Sequence, residues 1–245
     1  MDTGLKGKTV LITGASRNMG RLAALMFAQE GANLTLCTSS KMDDLNGVAD
    51  EARALGVKVL AEKCDVTDAD AVKRWVSKSR DMFGGVDVAV NLAGWRCEGK
   101  FLETGFESFR RTFEVNLGGP FHVCQNVLPL MMEKRWGRII NIAGISPYLG
   151  SGAPKAAVKL GTVGFTRGLA REFGKYNITA NCLGPGVIDR PADDEVSEKP
   201  LRSGQPIPRK GKPEEAVSTI IYLASENAGF VTGQCCLVNG GAYFQ

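Results

Sequence analysis

Residues 8–20 read KTVLITGASRNMG, and this stretch decides the fold. Its first half, Thr9–Thr13, is a short run of β-branched and apolar residues that suits a buried parallel strand. A loop with Gly14 and Gly20 follows, and then RLAALMFA at 21–28, which predicts a helix. Strand, glycine loop and helix N-terminus together form a place for a diphosphate, because free backbone N–H groups and the positive end of the helix dipole face the anion. Gly14 permits a sharp turn where a Cβ would clash, and Gly20 permits close packing of helix on strand.

The rest of the chain repeats the alternation. Further strands are expected at 33–37, 57–62, 86–91, 138–142 and 178–182 and at Cys235–Val238. Between them lie helical patterns: one capped by Asp43 and Asp44 and running to about residue 55, one capped by Asp68 over 68–82, two over 106–135 broken near Gly118, Gly119 and Pro120, and a long one over 153–173. Strands alternating with crossover helices predict an α/β fold: a doubly wound, Rossmann-type parallel sheet of seven strands with helices on both faces, in one domain spanning 1–245. Ligands of such sheets bind beyond the strand C-termini. Gly14, Asp65, Asn91, Gly144, Pro185 and Gly186 all fall there. Residues 189–212, with four prolines and mixed charges, follow neither pattern and are expected to form a lid over a substrate pocket.

Composition narrows the function. The chain of 245 residues has 44% hydrophobic and 23% charged residues, which fits a globular protein with a sizeable core. Its net charge of +4 comes from interspersed residues rather than a basic block, which argues against nucleic acid as a partner. No uncharged apolar run is long enough for a bilayer, and the first residues carry no apolar signal segment. Seven scattered cysteines suit packed, reduced thiols and a cytoplasmic location. Cys235 and Cys236 should point to opposite faces of a strand. The lone His122 lies in an apolar helix with no partner cluster, so it reads as a packed residue and no metal site is expected.

Taken together, these segments resemble the short-chain dehydrogenase/reductase family, in the form of the bacterial 3-oxoacyl reductases. TGASRNMG is similar to the family's glycine loop, Cys64-Asp65-Val66-Thr67 to its adenine-contacting segment, and NLAG at 91–94 to its NNAG. Asn116 in FEVNLGG sits like the family's helix-four asparagine, and Gly184-Pro185-Gly186-Val187-Ile188 like its segment beside the nicotinamide. GFVTGQCCLVNGG resembles its closing passage, with Asn239 where an aspartate is usual. The resemblance implies a nicotinamide coenzyme held by Gly14, Ser16, Arg17, Asn18, Met19 and Gly20, by Asp65 and Val66, by Asn91, Ala93 and Gly94, and by Lys159, Pro185, Gly186 and Ile188.

Which coenzyme is bound turns on the end of the second strand. A site for NAD needs a carboxylate there to bind the ribose 2′-OH. Thr38 occupies that position, followed by Ser39, Ser40 and Lys41. Hydroxyls with Lys41, and with Arg17 in the loop, suit a 2′-phosphate, so NADP(H) is expected over NAD(H). Asn18 replaces the family's middle glycine, a residue that tolerates left-handed backbone better than most.

The active-site segment departs from the family. Members use Asn, Ser, Tyr and Lys, with the tyrosine as acid/base and the lysine four residues later. Here NIAGISPYLGSGAPKAAVK, shorter than usual for the family, puts Lys159 at the lysine position, Lys155 at the tyrosine position and Gly144 at the serine position. A second register puts Lys155 at the lysine position and Ser151 at the tyrosine position. In neither does a tyrosine precede a lysine by four. Three consequences follow. The chain is an oxidoreductase acting on a carbonyl or alcohol through a rebuilt site of Asn116, Ser146, Lys155 and Lys159, with Tyr148 as a more distant candidate. Alternatively, it is an inactive coenzyme-binding subunit in a hetero-oligomer with an active homologue. The third consequence is other chemistry on the same scaffold, such as that of a lyase or dehydratase. Lys155 and Lys159, at i and i+4, share a helix face and should each depress the other's pKa. Trp95, Cys97, Tyr148 and 189–212 are expected to line a moderately apolar substrate pocket. The resemblance further implies a homotetramer, joined through helix pairs and the C-terminal strand, with the apolar tail Ala242-Tyr243-Phe244 buried.

Overall fold

The computed structural model describes residues 2–97, 100–189 and 204–244. Seven strands form one sheet: β1 (Thr9–Thr13), β2 (Asn33–Thr38), β3 (Val59–Lys63), β4 (Val88–Asn91), β5 (Gly137–Ile142), β6 (Ile178–Pro185) and β7 (Cys235–Val238). Their order is β3-β2-β1-β4-β5-β6-β7 and every pairing is parallel. The chain winds outward from β1 in one direction and then from β4 in the other. The switch point therefore lies between β1 and β4, where Thr13 pairs with Asn91.

Helices cover both faces. α1 (Asn18–Gln29), α2 (Met42–Ala54) and α8 (Pro213–Ala224) pack on one side around Phe27, Leu36, Leu45 and Ile220. α3 (Ala69–Phe83), α5 (Gly119–Lys134) and α7 (Ala153–Phe173) pack on the other around Leu11, Trp75, Val127 and Ile139. Because both faces are buried, the inner strands read as continuous apolar runs, and β1 is buried at all five positions.

The helix signals differ in what they do. Asp68 caps α3, its Oδ1 accepting the Ala71 N–H at 2.9 Å. Asp43 and Asp44 do not cap α2: the helix starts at Met42, so both carboxylates lie in its first turn, where they complement the helix dipole. The expected break near Gly118 is not a break. α4 (Phe106–Phe113) passes through a π-helical stretch, Glu114–Gly118, directly into α5. Pro120 explains this. It has no N–H to offer the Asn116 carbonyl, and its ring would crowd that carbonyl in a regular α-turn. The Asn116 carbonyl instead accepts the Thr162 hydroxyl of α7 at 3.4 Å.

Candidate functional site

A cleft of about 1180 Å³ opens along the C-terminal ends of the strands and gathers most of the candidate residues into one wall. Gly14 and Gly20 shape one end. Gly14 has φ +67°, and a Cβ there would sit 2.9 Å from the Ala93 Cα; a Cβ on Gly20 would sit 2.0 Å from the Gly14 carbonyl oxygen. The loop is thus pressed against the segment after β4 and against α1 in a way only glycine allows. Asn18 has φ +50°, so it carries the left-handed backbone that a glycine would otherwise take. Arg17 gives α1 no side-chain cap and the first turn holds no acid, which leaves this helix end suited to an anion. Ser16, Arg17, Met19 and Asn18 all line the cleft.

Thr38, Ser39, Ser40 and Lys41 continue the wall from the end of β2. The Ser16 and Thr38 hydroxyls stand 3.3 Å apart and join the glycine loop to this segment. Beyond β3, Asp65 and Val66 line the cleft. Asp65 accepts the Thr67 N–H and hydroxyl at 3.0 and 2.8 Å and an Arg111 N–H at 3.2 Å. Burial works to raise its pKa, but these hydrogen bonds outweigh it and hold the carboxyl below its ordinary value.

Asn91 does not take part in the wall, contrary to expectation. It is buried in the sheet, and its amide donates to Asn141 Oδ1 at 2.8 Å, while Asn141 donates to the Thr166 hydroxyl at 2.9 Å. This chain of amides ties β4, β5 and α7 together. Ala93 and Gly94 do line the cleft, and the Ala93 N–H donates to the Thr13 hydroxyl at 3.0 Å. Pro185, Gly186 and Ile188 close the far side. Gly186 lies where a Cβ would meet the Asn239 Cα at 2.8 Å. The uncapped, acid-free N-terminus of α1 behind the tightly packed glycine loop, open to this long cleft, fits the diphosphate of a nicotinamide coenzyme.

At the other end of the cleft are Asn116, Ser146, Lys155 and Lys159. The Asn116 amide donates to the Trp95 and Thr112 carbonyls at 2.7 and 2.9 Å, so it holds the turn after β4 in place. The Lys159 ammonium donates to the Ile142 carbonyl at 2.7 Å, at the very end of β5. Burial, and then the neighbouring Lys155 ammonium, lower the Lys159 pKa to about 8. Lys159, one helical turn beyond Lys155, is thus the lysine that reaches the strand end. The Ser146 residue is only 4% exposed, and its hydroxyl has no hydrogen-bond partner although it lines the cleft. Gly144 has φ +77° with open space where a Cβ would be.

Two expected pocket residues lie elsewhere. Tyr148 packs with Ala143, Val163, Cys182 and Cys235, and its ring stacks on Tyr243 at 5.3 Å between centroids. Its hydroxyl is buried without a hydrogen bond; burial and then the Cys235 thiol raise its pKa. Tyr148 therefore faces away from the cleft and cannot donate a proton there in this arrangement. Cys97 is not in the wall either; its sulfur takes a hydrogen bond from the Ser108 hydroxyl at 3.4 Å. Trp95 does line the cleft, with the Arg111 guanidinium 5.9 Å from its ring. Most of the expected lid, 190–203, lies outside the described residues. Its described return leg pairs with the chain after β6: Gly211 donates to the Val187 carbonyl and accepts from the Asp189 N–H, at 2.9 and 2.8 Å.

Arg111, Arg96 and the Ile142 carbonyl are cleft features that the sequence did not single out, whereas Ser151, the tyrosine-position residue of the second register, does line the cleft. Arg111 carried one signal: it lies three residues beyond Ser108 on a strongly amphipathic helix and so shares the face turned to the cleft.

A family model described as enoyl-(acyl carrier protein) reductase matches residues 14–243. A 3-oxoacyl-[acyl-carrier-protein] reductase of Thermotoga maritima is 36% identical, over 97% of this chain and 98% of its own. A subunit of (2S)-[(R)-hydroxy(phenyl)methyl]succinyl-CoA dehydrogenase of Thauera aromatica is 38% identical over 97% of each chain. The structure of a 7α-hydroxysteroid dehydrogenase complexed with NADH and 7-oxo glycochenodeoxycholic acid superposes with a TM-score of 0.90, at 30% identity, over 98% of this chain and 96% of that one. The chain belongs to the short-chain dehydrogenase/reductase family. As a short-chain dehydrogenase/reductase it is of oxidoreductase type, and its sheet order and strand-end cleft are those of a Rossmann-like domain. Among the described residues no helix is long and apolar enough to cross a membrane.

Proposed function

We propose that this protein is an NADP(H)-dependent oxidoreductase that interconverts a carbonyl and an alcohol, with Lys155 in place of the family's tyrosine as acid/base. The observation that carries this is the joining, in one cleft, of the glycine cradle, the Thr38–Lys41 wall, the paired ammonium groups of Lys155 and Lys159, and the buried, unpartnered hydroxyl of Ser146. The coenzyme would supply a hydride equivalent to the substrate carbon. All other work falls to side chains.

The backbone at 14–20 binds the diphosphate, and Ser39, Ser40, Lys41 and Arg17 surround the 2′-phosphate. The Ser146 hydroxyl, donating into the cleft, holds the substrate oxygen. Lys155 in its ammonium form gives that oxygen a proton, and in its amine form takes it back. Lys159, its own pKa lowered to about 8 by burial and by the Lys155 ammonium, anchors the ribose one helical turn from Lys155. Asn116 fixes the Trp95 turn that borders the substrate. Trp95, half-exposed, offers an aromatic wall to an apolar substrate part.

Exposed apolar side chains support a homotetramer: Phe106, Phe113, Phe121 and Leu160 lie on α4, α5 and α7, and Phe230 and Phe244 lie near the C-terminus. Light scattering is expected to give four chains, and a monomer would contradict it. The activity is tested by screening ketones and alcohols with NADPH or NADP⁺. Turnover in the native protein that falls about 100-fold or more in Lys155→Ala supports the assignment, and unchanged turnover removes it.

A further inference from the structure

The last turn of the chain takes no part in the chemistry above, yet it touches two pieces of the substrate half of the cleft. The first piece is α6 (Ser146–Leu149), which carries Ser146. It is a single helical turn flanked by left-handed glycines, Gly144 at φ +77° and Gly150 at φ +60°. So short a helix, hinged on glycine at both sides, does not fix its own orientation. Tyr148 does this. Its ring packs against Ala143, Val163, Cys182 and Cys235 and stacks on the Tyr243 ring, with centroids 5.3 Å apart and planes 23° apart. Residues two apart on a helix point to nearly opposite sides. With Tyr148 turned into the core, Ser146 is turned to the cleft, which it lines and Tyr148 does not.

Tyr243 is held in turn by Asn239, a buried residue directly after β7. The Asn239 amide N–H donates to the Tyr243 carbonyl at 2.9 Å, and its side-chain oxygen accepts the Gly241 N–H at 2.9 Å. A carboxylate there could accept from Gly241 but has no proton to give the Tyr243 carbonyl. The second piece is the described end of the expected lid. The Ile207 N–H donates to the Gly240 carbonyl at 3.0 Å. Gly240 and Gly241 lie so close to this leg that Cβ atoms on them would stand 2.8 Å from Gln205 Nε2 and 2.7 Å from Pro206 Cγ. Gln205 stiffens the leg by donating to the Ile207 and Arg209 carbonyls at 2.6 and 3.0 Å. The leg then reaches Gly211, whose N–H donates to the carbonyl of Val187 in the cleft wall.

We infer that Asn239–Tyr243 is a clasp that positions the substrate half of the cleft. Tyr243 sets the direction of the Ser146 hydroxyl through Tyr148, Gly240 holds the return leg of the lid, and Asn239 keeps the two joined. Tyr243 and Asn239 are positioning residues, since neither lines the cleft. The inference deepens the function proposed above, in which Ser146 holds the substrate oxygen. The glycine loop at 14–20 lies at the other end of the cleft and is not held by the clasp.

Hydrogen–deuterium exchange of the full-length protein, without added ligand, tests the clasp itself. In Tyr243→Ala the amides of 144–151 and 205–211 should exchange about tenfold faster or more, while those of 14–20 keep their native rates. Tyr243→Phe keeps the ring and should exchange as the native protein does. Asn239→Asp should loosen both segments as Tyr243→Ala does. Native exchange in both Tyr243→Ala and Asn239→Asp, or a rise that extends to 14–20, would overturn the inference. Kinetics test the link to Ser146. Tyr243→Ala should lower kcat about tenfold or more, leave NADPH affinity unchanged, and cost no further kcat in a Ser146→Ala background, because it acts through that hydroxyl. The same loss repeated in that background would overturn the positioning role. Faster exchange in a protein that turns over no carbonyl or alcohol would count for the clasp and against the function proposed above.

Discussion

The Lys159 ammonium donates to the Ile142 carbonyl at 2.7 Å and so ties the middle of α7 to the end of β5. This contact places a cation in a poorly solvated wall with Lys155 one turn away, and these two effects bring Lys159 to about 8. Mass-spectrometric measurement of amine acetylation against pH should show Lys159 half-reactive near pH 8. In Lys155→Met the midpoint moves up toward the ordinary lysine value, because one like charge is gone. The stability effect has a definite sign. Lys159 binds its proton less tightly folded than unfolded, so folding stability rises with pH between about 8 and 10.5. A flat stability profile across that window, after other titrations are matched with Lys159→Met, would contradict the assignment.

Ser146 separates structural from functional need. Its hydroxyl is buried without a partner, so Ser146→Ala removes a desolvated polar group and leaves the melting temperature unchanged or slightly raised. Turnover is expected to fall by about 10- to 100-fold, since the substrate oxygen loses its donor. Calorimetry and steady-state kinetics on the same preparation check both halves.

The proposed 2′-phosphate site predicts a selective loss. Lys41→Ala and Arg17→Ala should each weaken NADPH by about tenfold or more and leave NADH nearly unaffected, because a charge-assisted hydrogen bond contributes roughly 1.5–3 kcal/mol. Fluorescence titration of each variant with both coenzymes measures this directly.

Gly20→Ala tests the cradle. Its Cβ would fall 2.0 Å from the Gly14 carbonyl oxygen, so the loop must move. A loss of roughly 1–3 kcal/mol in denaturant stability and of coenzyme binding is expected. Gly56→Ala is the comparison: its Cβ meets nothing within 4 Å, and although φ +89° makes it strained, it lies far from the cleft wall and should spare binding.

Much of this was legible in the sequence because it rests on periodicity and on glycine. β1 and β7 begin and end where their apolar runs do, and Cys235 and Cys236 face separate cores as alternation requires. The Lys155–Lys159 pair follows from helical spacing alone. Other features depend on choices that the chain makes only in three dimensions. Pro120 reads as a helix breaker, but packing of Thr162 on the freed Asn116 carbonyl keeps the helix going as a π stretch. Asn91 sits at a strand end, as a ligand residue would, yet its amide finds Asn141 across the sheet first. Tyr148 is near the site in sequence, but the short helix α6 (Ser146–Leu149) turns its ring toward Tyr243. Periodicity assigns a residue to a face; it does not say which of two nearby partners a side chain will choose.

The proposed function stands on binding of NADP(H) in this cleft. Titration of the purified protein with NADPH and NADH, followed by energy transfer from tryptophan to the reduced nicotinamide, tests it most directly. Trp95 lines the cleft and should report on binding. Saturable binding of NADPH, about tenfold or more tighter than that of NADH, is the predicted result. Tighter NADH, or no binding of either, would contradict it.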